Sequence, residues 1–394
     1  MTDSVLRSVI LFLRDLVLLI PVFVVALTAR FARKRVDIGL GPEPLINNIH
    51  HKKALERFGY SAQTFVREVY YISDLFDVRA DRWIQPPFSY LIRDYCLFVH
   101  VVFNYRCLYI YFNGGPLGFT AFLWRMEPLL LKLANVKVLV MPYGSDVQNM
   151  TRSPNHLFKD AISSDYPNLR MRRKRIAAQI DLWTRYADHV IGGCEWVDYM
   201  FHWNTLMTAH FSIDTESWEA CDDGPAGAGS ALRVLHAPNH RAIKGTQYFV
   251  DAVRELREAG ADIELIILER MSNDEVRRVM ATVDIVADQL IVGWYAMFAL
   301  EAMAMGKPVL CYIRADLEEL YITKGLLAPG ELPVIKCTPL TVKQKLKELN
   351  EDPNMLREIG KRSRTYAVKH HSIEAVGKVF DGINRALGLY GRHS

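Results

Sequence analysis

The sequence predicts an α/β protein with two doubly wound, Rossmann-like domains facing each other across a cleft, preceded by a membrane-associating helix. Three observations predict it. Short β-branched and aromatic runs alternate with helical runs over residues 36–218, and the alternation restarts after a stretch rich in small residues at 219–230. The 394 residues are 50% hydrophobic, enough to bury two cores. Residues 16–29, "LVLLIPVFVVALTA", are uncharged and almost wholly apolar.

The amino-terminal segment, residues 1–35, comes first. As a helix, Leu16–Ala29 spans about 21 Å, short of the roughly 30 Å hydrocarbon core of a bilayer. Extension back to Val9 reaches spanning length but takes in Arg14 and Asp15, each costing about 2.5–3.5 kcal/mol at mid-helix. The segment reads first as a helix lying in one leaflet, with a single span and a buried core helix as alternatives. Arg30, Arg33, Lys34 and Arg35 follow it and suit an anionic surface on the cytoplasmic side of the inner membrane.

Residues 36–218 form the first domain. "VDIGLG" reads as a strand ending in a Gly-rich turn, where Gly39 and Gly41 allow close approach of a phosphate. "NIHHKKALERFG" is a helix stopped by Gly59, with His50 and His51 expected at its surface. Strand "AQTFVREV" and helix "SYLIRDYCLFVHVVF" follow. "CLYIYFNGG" is a strand, "AFLWRMEPLLLKLA" a helix kinked at Pro128, "VKVLVMPYGSD" a strand and loop, "RKRIAAQIDLWTRYA" a helix and "DHVIGGC" a strand. Residues 219–230 read as a flexible linker.

The second domain, residues 231–371, opens with strand "LRVLHAP", helix "GTQYFVDAVRELREAG" and strand "ADIELIILE". A Ser272/Glu275 capping box starts the next helix, then come strand "DIVADQ", a helix over Ala296–Met305 and strand "KPVLCYI". Residues 372–394 hold an amphipathic closing helix expected to pack back on the first domain.

Chemistry concentrates in the second domain's strand-end loops, because open α/β sheets bind ligands at the carboxyl ends of their strands. Arg241 and Lys244 precede a helix beginning near Gly245. Two cations beside free helix N–H groups suit a diphosphate. From Gln289 to Gly306 the only charge is Glu301, amid Ala, Leu, Met and Phe. A buried carboxylate there needs a partner. A vicinal diol such as ribose fits, and so does a buried Arg or a set of backbone amides.

"KGTQYFVDAVREL", "ADI" and above all "FALEAMAMGKPV" resemble the donor-binding half of the large retaining glycosyltransferase family four, of the GT-B fold, in its bacterial surface-polysaccharide branch. The resemblance is specific over about 232–312 and softer over 36–215. It implies a nucleotide-sugar donor and transfer with retention; no aspartate pair in the sequence suggests a metal, helix and cations make one unnecessary, and no other cofactor is expected. In that family a glutamate matching Glu301 holds the ribose. Cations matching Arg241 (displaced by two positions) and Lys244 hold the diphosphate. The glutamate that contacts the donor sugar falls on Gly293 here, leaving Asp288 and Gln289 as the nearest polar substitutes. Asn113, in "YFNGGPLG", occupies the place of a histidine in many relatives, and "HFSID" resembles the hinge, making Asp214 structural. Asp146, in "PYGSDVQN", is the candidate to orient the acceptor hydroxyl or take its proton, with a turn or helix-cap role as the alternative.

Net charge is +4, too mild for a nucleic-acid partner. The cation run "LRMRRKR" (169–175) reads as a solvated face or a second contact with anionic lipid. Six scattered cysteines without Cys-x-x-Cys spacing read as reduced thiols. The expected activity is membrane-associated transfer of a sugar to a lipid-linked or glycan acceptor, in surface polysaccharide, lipopolysaccharide or glycolipid assembly. An epimerase of the same fold and a non-catalytic nucleotide-sugar-binding subunit are the alternatives.

Overall fold

Near-continuous apolar runs become strands covered on both faces. Tyr105–Tyr111 is buried except at Arg106, and Ile285–Gln289 is buried throughout. The computed structural model describes residues 2–69, 75–84, 89–220 and 231–392. From residue 221 onward the expected 219–230 linker lies outside the described residues, as does Cys221. The first sheet has seven parallel strands: β1 (Val36–Leu40), β2 (Ala62–Val66), β3 (Val78–Arg79), β4 (Tyr105–Tyr111), β5 (Lys137–Met141), β6 (His189–Gly193) and β7 (Thr205–Met207), in spatial order β3-β2-β1-β4-β5-β6-β7. The second has five: β8 (Leu232–His236), β9 (Ile263–Ile267), β10 (Ile285–Gln289), β11 (Val309–Cys311) and β12 (Val334–Lys336), in order β12-β11-β10-β8-β9. Strand order reverses beside β1 and beside β8, and an open α/β sheet forms its ligand crevice at such a switch point.

Helix ends follow local chemistry. Ser272 and Glu275 form the expected reciprocal capping box. Helix Met297–Ala304 stops at Gly306, whose φ of 73° is a left-handed conformation that favours glycine. Pro128 does not kink a helix. A short 3-10 turn at Leu123–Arg125 ends first, and helix Glu127–Leu133 starts with Pro128 in its first turn, where the missing N–H costs nothing. His50 and His51 are not on the surface either. Helix Ile46–Arg57 is covered by the closing helix Ile373–Ala386, so burial pushes His50 down to about 4 and His51 to about 3. His51 Nε2 lies 2.7 Å from the His210 carbonyl.

The closing helix returns to the first domain. Ser372 caps it, accepting from Ala375 N at 3.1 Å. A Cβ at Gly377 would lie 2.7 Å from Ala54 O, so this glycine sets the close approach to helix Ile46–Arg57. Tyr109 donates to Asn384 at 2.9 Å and Tyr60 to Asp381 at 2.7 Å. Asp214 pairs with Lys53 at 2.7 Å and accepts from Ser217 N at 3.2 Å, beside the point where Ile213 exchanges backbone bonds with His371 and Ile373.

The amino-terminal helix, Thr2–Ala29, is long and apolar enough to cross a membrane by length and composition. One face packs on helices Ser89–Asn104 and Glu127–Leu133, burying Val22, Ala26 and Ala29. Asp15 is also on that face. It accepts from Arg14, from the Tyr95 hydroxyl at 2.5 Å and from Phe122 N at 2.9 Å. The opposite face bares a stripe that includes Phe12, Leu13, Leu16, Val17, Ile20 and Phe23, with Val17 and Ile20 each 73% exposed.

Candidate functional site

The carboxyl-end loops of the two sheets confront each other. Asn155 caps helix His156–Asp165 and donates its amide to Ile291 O at 2.7 Å. Asp165 accepts from Ile243 N at 2.9 Å, the Tyr166 hydroxyl meets the His240 ring, and Arg314 is paired with Asp198. The loops after β8 and β10 therefore lie against the first domain.

On the second-domain side, β8 ends at His236. Its ring spans Ala287 O at 2.8 Å and Thr246 Oγ1 at 2.9 Å, and burial holds it neutral, down to about 4. A one-turn helix, Arg241–Lys244, follows, then Gly245 at φ 71° and helix Thr246–Glu258. A Cβ at Gly245 would come within 3.1 Å of Leu290 Cβ, so glycine permits both the turn and its packing. Lys244 Nζ reaches Asp288 Oδ1 at 2.6 Å, with the Asp288 side chain fully buried, and Asp288 Oδ2 accepts from Ala296 N at 3.0 Å. Arg241, 57% exposed, makes a two-pronged pair with Glu269 at 2.8 and 2.9 Å.

Glu301 is 5% exposed and, among the described residues, has neither an Arg partner at bonding distance nor a set of backbone amides. Asn273 Nδ2 donates to its Oε1 at 2.9 Å, while Arg277 acts only through longer-range attraction. Burial outweighs both and pushes its carboxyl up to about 7, with Asp288 adding repulsion. Glu301, Asp288 and Lys244 thus come together.

Gln289 is turned elsewhere. Its amide nitrogen donates to Trp294 O and Tyr312 O, and its oxygen accepts from Ile291 N and Val292 N. It is the brace of the 290–294 loop. Gly293, at φ 106°, leaves space that the Arg314 stem fills: a Cβ there would lie 2.7 Å from Arg314 Cδ. Arg314 is held by both Asp198 and Asp316 and so joins the two domains at this point.

On the first-domain side, Asn113 donates its amide to Glu43 Oε1 at 2.9 Å and lies 2.7 Å from the Tyr143 hydroxyl. Its loop is braced from behind. Glu127 accepts from Gly115 N and Leu117 N, Gln179 donates to Asn113 O at 2.8 Å, and Arg175 donates to Gly118 O at 2.5 Å. Asp146 belongs to this bracing. Its oxygens take the N–H groups of Phe112, Tyr143 and Gly144 at 2.9–3.0 Å, tying the β4 loop to the β5 loop, and burial pushes its carboxyl up to about 7. Gly41 serves packing: a Cβ there would lie 2.0 Å from Phe65 O on β2.

Two further carboxyls, not expected from the sequence, stand at strand ends. Glu43 follows Gly41-Pro42 at the end of β1. Burial raises its pKa, and Arg172 and Arg67 attract its charged form. Glu195 follows β6. Burial pushes it up to about 8, and it shares the turn Cys194–Asp198 with Asp198, the partner of Arg314 from the second domain. The usable signal in each case was an acid just past a Gly-bearing strand end. Two cations of the 169–175 run are not merely solvated: Arg172 reaches Asn113 Oδ1 at 3.4 Å, and Arg175 holds the loop.

No family model matches the chain, and no curated protein matches it by sequence. Solved structures do match by fold. Sucrose-phosphate synthase from Thermosynechococcus elongatus superimposes with a TM-score of 0.57 at 14% identity, over 90% of this chain and 99% of that one. Anabaena HepE bound to UDP-glucose gives 0.59 at 12% identity, over 90% and 100%. An alpha-glucosyltransferase in complex with UDP and a 13-mer DNA containing an HMU base gives 0.55 at 12% identity, over 89% and 99%. The paired parallel sheets, their facing loops and these full-length superpositions make this a two-domain GT-B fold.

Proposed function

We propose that this chain is a membrane-associated glycosyltransferase, similar to the retaining family four, that moves a sugar from a nucleotide sugar to a lipid-linked or saccharide acceptor. UDP sugars are the first donor class to try, because similarly folded proteins hold UDP or UDP-glucose. The observation that carries the reading is the Lys244–Asp288–Glu301 cluster: a buried carboxyl without a protein cation of its own, beside a lysine at the switch point of the donor-side sheet.

In this reading Glu301 accepts from the ribose diol. Lys244, Arg241 and the adjoining backbone N–H groups take the charge that grows on the departing diphosphate. The acceptor oxygen bonds to the sugar carbon on the face the diphosphate leaves, and its proton passes to the departing phosphate. Glu43 and Asn113 line the acceptor side, and Asp146 positions their loop. The deciding test incubates the protein with labelled nucleotide sugars and membrane lipid extract. Label in the lipid or saccharide fraction is expected. A new nucleotide sugar, or binding without transfer, would reject the transferase.

No metal has a part in this mechanism, since chain cations hold the leaving group. Activity is expected to survive EDTA. Loss on chelation with recovery on adding magnesium or manganese would reject that part.

Membrane attachment rests on the stripe opposite Asp15. A helix tied to its domain through Asp15 and Tyr95, with its apolar side bare, suits the headgroup boundary on the cytoplasmic face of the inner membrane. Val17→Glu with Ile20→Glu should move the protein from the membrane to the soluble fraction without lowering its melting temperature, because both side chains are 73% exposed. Continued membrane retention would place the anchor elsewhere.

A further inference from the structure

Three guanidinium groups gather at the rim of the Asn113 loop. Arg125 lies over the Trp124 ring at 4.3 Å from its centroid, and Arg175 lies 5.0 Å from the same centroid. Arg172, one turn before Arg175 on helix Leu169–Tyr186, reaches Asn113 Oδ1 at 3.4 Å. Among the described residues, none of the three has a carboxylate within ion-pair distance, whereas other arginines of the first domain do: Arg14 is on Asp15, Arg67 on Asp94 and Arg93 on Glu68. Arg172 and Arg125 repel the charge on Arg175, and Asp15, already engaged by Arg14, attracts it only from a distance. Like charges held together with carboxylates only at longer range, Glu43 for Arg172 and Asp15 for Arg175, cost free energy that an incoming anion would recover. Trp124 and the loop carbonyls fix the planes of two of these groups, which suits forked recognition of phosphate oxygens.

The cluster also joins two features already described. Arg172 touches Asn113, which holds Glu43. Two residues before Trp124, Phe122 packs against Phe12 of the exposed helical stripe, with tilted rings at 5.2 Å between centroids. The cations therefore stand between the apolar surface and the acceptor side of the cleft.

We propose that Arg125, Arg172 and Arg175 bind the phosphate or diphosphate of the sugar acceptor, so that the acceptor's hydroxyl is presented beside Glu43 and Asn113. The proposal rests on the transferase reading and narrows its acceptor to a phosphorylated one. That phosphate has two sources, a lipid-linked sugar or a soluble sugar phosphate.

The test measures binding to the full-length protein in detergent micelles. The probes are farnesyl diphosphate, farnesol, inorganic pyrophosphate and, for the donor side, UDP-glucose. Arg125 is the residue to change, because it is exposed and braces no backbone. Arg125→Ala should weaken farnesyl diphosphate and pyrophosphate binding at least tenfold, Arg125→Lys less, with UDP-glucose affinity unchanged. Farnesyl diphosphate binding more tightly than pyrophosphate assigns the lipid source, and equal affinities assign the soluble one. Unchanged diphosphate affinity in Arg125→Ala would overturn the site. A parallel loss of UDP-glucose affinity would also overturn it, by assigning the arginines to the donor. If UDP-glucose fails to bind at all while diphosphate binding falls as described, the anion site stands and the donor reading fails.

Discussion

Glu301→Gln is expected to weaken nucleotide-sugar binding about ten- to a hundredfold and, at about pH 8, to raise the melting temperature. The first effect follows from geometry: a carboxylate can accept both hydroxyls of a diol, whereas an amide offers one neutral acceptor. Loss of charge assistance is worth about 1.5–3 kcal/mol. The second follows from burial. The folded carboxyl titrates near 7, above the unfolded value of about 4.3. Between those values the folded state holds the extra proton, so stability is complete below about pH 4.3 and declines as pH rises through about 7. The gap corresponds to at most about 4 kcal/mol. Glutamine abolishes the decline, so variant and wild type should melt together at about pH 4 and diverge at pH 8. A further consequence is that wild-type affinity for a nucleotide sugar, whose diphosphate diester stays ionised over this range, rises from pH 6 to 8, while the variant's stays flat. Calorimetric titration and thermal melts on one preparation check both. A variant with a lowered melting point and wild-type affinity per folded molecule would make Glu301 a core residue.

Lys244→Ala should instead lower stability. Its ammonium neutralises Asp288, whose side chain is fully buried and otherwise accepts from Ala296 N at 3.0 Å and, weakly, from Cys311 Sγ at 3.9 Å. Removing the cation strands that charge, at a cost of about 3–5 kcal/mol. If Lys244 also holds the leaving diphosphate, kcat per folded molecule should fall about 10²–10³-fold. The two effects separate in Lys244→Ala/Asp288→Asn. Asparagine can still accept from Ala296 N but carries no charge, so most of the stability should return while kcat stays low. Recovery of kcat together with stability would confine Lys244 to a structural part. Arg241 offers the contrast. It is 57% exposed and paired with Glu269 in solvent, so Arg241→Ala should leave the melting temperature nearly unchanged while lowering nucleotide-sugar affinity.

What could be read from the sequence was what local pattern determines. Alternating runs imposed the two sheets. Ser272 with Glu275, and Gly306 with Pro308, marked real helix ends because capping depends on neighbours in sequence. The isolation of Glu301 was visible because a lone acid in an apolar helix is improbable unless something binds it. Properties set by distant partners were not visible. His50 and His51 are buried by a helix more than 300 residues further on. Asp146 spends its oxygens on amides of its own turn and of Phe112, 34 positions earlier. Arg172 and Arg175 look like a solvated run until helix Leu169–Tyr186 sets two of them against the Asn113 loop. The space at Gly293 is filled by Arg314, a residue from the next strand-end loop.

The central claim is that the cleft between the two sheets holds a nucleotide sugar, with its ribose on Glu301 and its diphosphate on Lys244. A crystal structure of the full chain with a bound nucleotide sugar tests it most directly. Both ribose hydroxyls are expected within hydrogen-bond distance of the Glu301 carboxylate, the diphosphate beside Lys244 and Gly245, and the sugar directed toward Glu195 and Asn113. A nucleotide seated outside this cleft, or one whose ribose does not touch Glu301, would contradict it.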